Sequence, residues 1–180
     1  MSAPGAAGRR ARRTRHPPRR VLHPPPPAGV RIELQRRVRS WSPSRRDLAR
    51  WASAALGRRA AGRELGVCVV GAAESARLNE RFRGRAGPTN VLSFAAPQLS
   101  VSRHAAAPPA LGELVICPRV LRLEARVHAK TLRAHWAHLV VHGALHLAGY
   151  DHERAADARR MERREVAVLR RLGFADPYRS

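Results

Sequence analysis

Residues 133–152 read Arg133-Ala134-His135-Trp136-Ala137-His138-Leu139-Val140-Val141-His142-Gly143-Ala144-Leu145-His146-Leu147-Ala148-Gly149-Tyr150-Asp151-His152. From Arg133 to Ala148 the run is apolar over most of a helical surface, with Trp136, Leu139, Val140, Leu145 and Leu147 spread around it. A helix that is apolar on nearly every side has to be buried. The stretch therefore predicts the central helix of the fold. It also carries histidines. Residues four apart share a helix face, so the rings of His142 and His146 point at one spot. Gly149 then ends the helix by taking a positive φ without a Cβ clash. The chain turns back there and brings His152 to the same place. Three imidazoles with an open fourth position describe a catalytic zinc site rather than a closed structural one. The expectation is one Zn2+ per chain, held by His142, His146 and His152. His138, one turn earlier on that face, and His135 are expected to support the site or pack beside it rather than bind the ion.

The pattern H-x-x-x-H-x-x-G-x-x-H has the spacing of the metzincin proteases, H-E-x-x-H-x-x-G-x-x-H. The glutamate that serves those proteases as general base is here Gly143. The chain keeps the metal clamp and lacks the base, which turns the reading away from a metallopeptidase.

Composition points to another substrate. The 180 residues carry 35 basic against 13 acidic side chains, a formal net charge of +22, and Lys130 is the only lysine. An excess of arginine can reflect a GC-rich genome. Physically it still attracts polyphosphate and gives salt-dependent binding to nucleic acid. Cys68 and Cys117 sit in apolar, strand-like runs and read as small buried hydrophobes, which fits a reducing cytoplasm and argues against a disulfide framework. No run of about 18 apolar residues suggests a membrane span, and no apolar segment of a secretory signal follows the basic N-terminus.

Residues 1–28 hold seven arginines, seven prolines and no acidic residue. Such a segment cannot bury a core and is expected to be a disordered tail. It reads as an RNA-binding arm or as a stretch ahead of the true start. Residues 29–180 are expected to form one domain. Alternation in Val30–Leu34 predicts a strand. Ser42 is expected to cap a helix with Pro43 in its first turn and an apolar face of Leu48, Trp51, Ala52, Ala55 and Leu56. Further strands are expected at Leu65–Val70, Asn90–Phe94 and Leu114–Cys117. Further helices are expected at Ala73–Phe82, from Pro118, at Arg133–Ala148 and at Ala155–Leu172, with a loop over Ala95–Pro109. The sum is an α+β domain. A small, mostly four-stranded mixed sheet packs with about five helices around the buried metal-bearing helix.

Several stretches carry a family resemblance. They are Leu78-Asn79-Glu80-Arg81-Phe82-Arg83, Gly87-Pro88-Thr89-Asn90-Val91-Leu92-Ser93-Phe94, Leu111-Gly112-Glu113-Leu114-Val115-Ile116-Cys117, Ala134 to His152, and Leu172-Gly173-Phe174-Ala175-Asp176-Pro177-Tyr178. Together they resemble the YbeY family of bacterial rRNA maturation endoribonucleases. The resemblance runs from about residue 30 to the end. It implies a zinc-dependent, single-strand-specific endoribonuclease that matures the 3′ end of 16S rRNA and takes part in ribosome quality control. The implied partners are rRNA, the small ribosomal subunit and ribosome-assembly proteins, in the cytoplasm. By match of motif, His142, His146 and His152 take the metal-ligand places and Arg83 takes that of the catalytic arginine. A guanidinium fork holds two non-bridging oxygens of a phosphodiester as charge gathers there. Thr89, Asn90 and Ser93 either position phosphates or cap turns and strands. Two departures stand out: Ala86-Gly87 replaces an acidic-basic pair, and Gly112-Glu113 replaces Gly-Asp. A non-catalytic ribosome-assembly factor, stabilised by its zinc, is the alternative that composition fits equally well.

Overall fold

The structure, a computed structural model, describes residues 29–97, 109–151 and 154–179. The expected tail over residues 1–28 and most of the expected Ala95–Pro109 loop lie outside these residues. In chain order the elements are β1 (Arg31–Arg36), α1 (Arg45–Leu56), a 3-10 turn (Gly57–Ala60), β2 (Glu64–Val69), α2 (Ala72–Arg83), β3 (Val91–Ala95), β4 (Ala110–Ile116), α3 (Pro118–Val127), α4 (Leu132–Leu147) and α5 (Ala155–Arg171). The strands form one sheet in the order β1-β2-β4-β3. β1, β2 and β4 run parallel and β3 is antiparallel to β4, with Leu34 beside Val67, Val67 beside Leu114, and Ser93 beside Leu114. The sheet is mixed and four-stranded, and the described residues hold five α-helices, so the architecture is the α+β domain expected.

Side chains alternate across a strand, and the two sheet faces divide accordingly. Ile32, Leu34, Leu65, Val67, Val69, Val91, Leu114 and Ile116 join the main core with α1 and α4. Cys68, Leu92 and Val115, with Val70 just past β2, form a smaller cluster on the other face, against Leu78 of α2 and Phe94 of β3. Both cysteines are buried and unbonded. The main core is built around α4, which packs against β3, β4, α1, α3 and α5. Trp136, Ala137, Val140, Val141, Ala144 and Leu145 are all fully buried there. Among the described residues, no helix is long and apolar enough to cross a membrane.

Two expectations need correction. α1 is capped by Ser44, not Ser42. The Ser44 Oγ accepts from the Asp47 backbone N–H at 3.1 Å and donates to the Asp47 carboxylate at 2.9 Å. A serine three residues before an acidic side chain satisfies an orphan N–H of the first turn, worth about 1 kcal/mol. Ser42 instead accepts from the Arg36 guanidinium at 2.8 Å. β4 begins at Ala110, four residues before the expected Leu114. Gly112 and Glu113 do not read as a strand, yet they pair with Leu65 and Gly66 on one side and with Ala95 and Phe94 on the other. Ladder hydrogen bonds to two neighbours hold them, and side-chain apolarity is not required.

Candidate metal centre

Thr131 starts α4, its Oγ1 accepting from the Ala134 N–H at 3.2 Å. His138, His142 and His146 then follow at intervals of four and stack along one face, with ring centroids 6.2 and 4.6 Å apart. The helix stops where Gly149 takes φ +87°. There the Tyr150 N–H reaches back to the Leu145 carbonyl at 3.0 Å, the pattern of a Schellman cap. This turn also serves the site: the Tyr150 carbonyl accepts from His146 Nδ1 at 3.0 Å. His152 lies outside the described residues.

The other end of the arrangement is set by α5. Glu165, 1% exposed, accepts from His142 Nδ1 at 2.8 Å through one oxygen and from His138 Nε2 at 2.9 Å through the other. The Tyr178 hydroxyl, from the C-terminal segment, donates to the second oxygen as well. Burial pushes the Glu165 carboxyl up. The hydrogen bonds from His138 and His142 outweigh it and bring the group down to about 2, so it is an anion. Burial, then the hydrogen bond to that anion, pushes the Tyr178 hydroxyl up, so it stays protonated and donates.

These partners decide the tautomers. His142 Nδ1 faces a carboxylate and His146 Nδ1 faces a carbonyl, so each ring carries its proton on Nδ1. The two Nε2 atoms face each other at 3.1 Å. Two nitrogen lone pairs at that distance repel unless a proton or a metal cation lies between them. Nitrogens bound to one tetrahedral zinc at about 2.0–2.1 Å lie about 3.3 Å apart, so the donor pair fits a zinc site. His138, His142 and Glu165 also place ligand atoms within 4.8 Å of one another. That second set is less suited to an ion. Its atoms are already joined by hydrogen bonds, and the carboxylate is sealed from solvent. Its chemistry is that of outer partners that orient metal-binding histidines. His138 lies one turn before His142 on the same face, hydrogen-bonded to Glu165.

His135 and Glu124 form a separate clamp. His135 Nε2 meets Glu124 at 2.8 Å, and Asn90 Nδ2 donates to the same carboxylate at 3.0 and 3.1 Å. Burial raises the Glu124 carboxyl, the two hydrogen bonds lower it, and the net shift is downward. The Asn90 Oδ1 accepts from the Val91 N–H. The side chain of Asn90 is thus spent on fastening β3 to α3 and α4. Thr89 is half-buried and anchored through its backbone, which exchanges hydrogen bonds with the Ser75 hydroxyl at 2.8 and 3.0 Å. Ser93 points at α4: a Cβ on Gly143 would meet its Oγ at 3.0 Å. Arg83 lies exposed at the C-terminal end of α2. That helix packs on the sheet face opposite α4.

Gly143, where the metzincin pattern has its base, sits in a tight place. A Cβ at this position would come within 2.6 Å of Leu114 Cδ2 as well as against Ser93. Leu114 is fully buried in the core, so its terminal methyl would have to shift within packed surroundings. The helix face beside the histidines lies close against the sheet, and a side chain there would force its neighbours to move.

Glu165 and Tyr178 were missed in the sequence. A signal for Glu165 exists: it shares a buried helical stripe with Met161, Val168 and Leu169. An acidic residue in such a stripe needs a partner. For Tyr178 no local signal exists, because its partner is reached only by tertiary folding.

The profile of the family described as Endoribonuclease YbeY matches residues 35–173. An Endoribonuclease YbeY of Methylococcus capsulatus is 46% identical over 150 residues, covering 83% of this chain and 96% of that protein. One of Nitrosococcus oceani is 45% identical over 138 residues, covering 77% and 89%. The solution structure of a Thermotoga maritima protein superposes with a TM-score of 0.51 at 25% identity, covering 84% of this chain and 99% of that one. The matched span starts within β1, ends just past α5 and takes in the helix with the facing imidazoles, and on that extent the chain belongs to the YbeY family of endoribonucleases.

Proposed function

We propose that the chain is a zinc-dependent endoribonuclease for single-stranded RNA, acting in maturation of the 3′ end of 16S rRNA and in ribosome quality control. The observation that carries this reading is the facing pair of Nε2 atoms, each ring held by an acceptor on its Nδ1. His142 and His146 hold one zinc in this reading, and His152, three residues after Gly149, completes the set. Zinc so bound supplies a Lewis acid that makes water acidic enough to lose a proton near neutral pH.

The chain's own residues bind and orient the RNA. A net charge of +22 draws the polyanion in. β3 is an edge strand, with Ser93 toward the histidine side and Phe94 toward the Arg83 side. An RNA strand laid along that edge reaches both faces of the sheet. Arg83 provides the bidentate fork for the non-bridging oxygens of the scissile phosphate. Thr89 and Ser93 offer hydroxyls to neighbouring phosphates, while Asn90 holds the loop through Glu124. The partners are rRNA, the small ribosomal subunit and its assembly proteins. Two buried free thiols suit the reducing cytoplasm.

Arg83→Ala should keep its zinc and its thermal midpoint, because the side chain is exposed, and lose at least about 100-fold in cleavage of a single-stranded RNA. Wild-type cleavage that survives this substitution unchanged removes Arg83 from the mechanism. A wild type that binds zinc and cleaves no RNA points to the assembly factor instead.

In the same reading, residues 1–28 add affinity and no chemistry. Each phosphate neutralised adds about −0.7 to the slope of log K against log salt for single strands. Deleting the segment should leave zinc content unchanged and flatten that slope in titrations with a short RNA. Equal slopes for the full-length and truncated proteins would show that the segment is not an RNA arm.

A further inference from the structure

Glu165 is a carboxylate side chain set in an otherwise apolar helical stripe and turned toward the histidines. It is 1% exposed, in a stripe otherwise made of Met161, Val168 and Leu169. Among the hydrogen bonds and ion pairs of the described residues its partners are His138, His142 and Tyr178, and neither an arginine nor the lysine is among them. A buried carboxyl is kept where its hydrogen bonds are all satisfied, and an apolar residue of the same volume would fill this place without needing them. Tyr178 is unusual in the opposite way. Its residue is 49% exposed, so its ring contributes little packing, yet its hydroxyl reaches the buried carboxylate.

The segment carrying Tyr178 is fastened to the end of α5 by the Phe174 N–H on the Leu169 carbonyl at 2.9 Å and by Arg170 on Asp176 at 3.4 Å. The Phe174 ring stands edge-on to Trp51 at 5.8 Å, and the Lys130 ammonium donates to the Pro177 carbonyl. The Tyr178 ring meets His138 edge-on at 5.6 Å. A cavity of about 650 Å³ lies between this segment and the start of α4, with His138 in its wall.

The geometry points to Glu165 and Tyr178 as positioning residues for the metal: Glu165 holds His142 by its Nδ1–H, and Tyr178 locks the Glu165 carboxylate from the C-terminal segment, so docking of residues 173–179 and metal affinity are coupled. The argument runs outward from the nitrogen. His142 presents Nε2 toward His146 only while its Nδ1 is held, and a carboxylate is the acceptor that both fixes that tautomer and makes the ring a stronger ligand. Glu165 keeps its orientation because one oxygen serves His142 while the other is held by His138 and Tyr178. Removing the Tyr178 hydroxyl leaves the second oxygen with His138 alone and loosens the hold on the carboxylate. This inference rests on the proposal that His142 and His146 hold zinc.

The test is zinc affinity of the metal-free, full-length proteins, measured by competition with a chromophoric chelator. It is run alongside thermal unfolding without metal and the visible spectrum of the cobalt-substituted forms. Tyr178→Phe keeps the ring and removes only the hydroxyl. Glu165→Gln keeps the volume and removes the charge. Expected losses of affinity are about 10- to 100-fold for Glu165→Gln and up to about tenfold for Tyr178→Phe. Both variants should show a shifted cobalt spectrum, and Tyr178→Phe should keep the unfolding midpoint of the metal-free wild type. Wild-type affinity and spectrum in both variants overturn the inference. So does a loss of affinity in Tyr178→Phe that merely tracks a lowered metal-free stability. If Glu165→Gln fails to fold, Tyr178→Phe alone decides. A wild type that takes up no zinc overturns the metal-site proposal itself, and shows it before any variant is made.

Discussion

His142→Ala and His146→Ala will each strip most of the zinc from the purified protein and abolish RNA cleavage. Loss of an outer partner costs about 10- to 100-fold in metal affinity, and loss of a ligand itself costs more. The whole binding energy at such sites is about 10–16 kcal/mol at neutral pH, so a missing imidazole removes a large share of it. The metal-free proteins should still fold. Removing either ring relieves the 3.1 Å approach of two Nε2 atoms, and each side chain is only half-buried. Metal analysis after gel filtration reads the result directly. One zinc per chain retained by a variant lacking His142, His146 and His152 together would place the ion elsewhere.

Gly143→Glu, the change that would restore the protease pattern, will damage the fold and create no peptidase. A side chain at this position starts 2.6 Å from Leu114 Cδ2 and 3.0 Å from Ser93 Oγ. Overpacking a core costs about 1–3 kcal/mol, and an unpartnered carboxylate between helix and sheet adds several more. Against a total of about 5–15 kcal/mol for a domain, that is a large fraction. At about 2–4 °C per kcal/mol for a chain of this size, the thermal midpoint should fall by ten degrees or more. Gly143→Ala should show the smaller, purely steric part. A Gly143→Glu protein with wild-type stability and chelator-sensitive casein hydrolysis would overturn this account of why the base is absent.

Much of this protein is readable from local chemistry. The all-round apolarity of residues 133–148 requires burial, and α4 is the buried centre. The four-residue spacing of His142 and His146 puts their rings together because a helix has a fixed pitch. Gly149 ends that helix for reasons contained in its own backbone. Each of these acts within a turn or two of chain, where sequence order and spatial order coincide.

The rest was decided only when distant segments met. Gly112 and Glu113 join β4 because strands on both sides supply hydrogen bonds that their side chains do not announce. Asn90, readable as a phosphate contact, is committed to Glu124, 34 residues away. The clearest case is Glu165, 23 residues from His142. No spacing rule links α5 to α4, and the contact arises from the way the two helices pack. Yet that contact sets which nitrogen of His142 carries the proton. The sequence by itself determined which residues could face a metal. The tertiary structure decided the orientation in which His142 and His146 face it, because each ring is turned by the acceptor that the folded chain places beside its Nδ1.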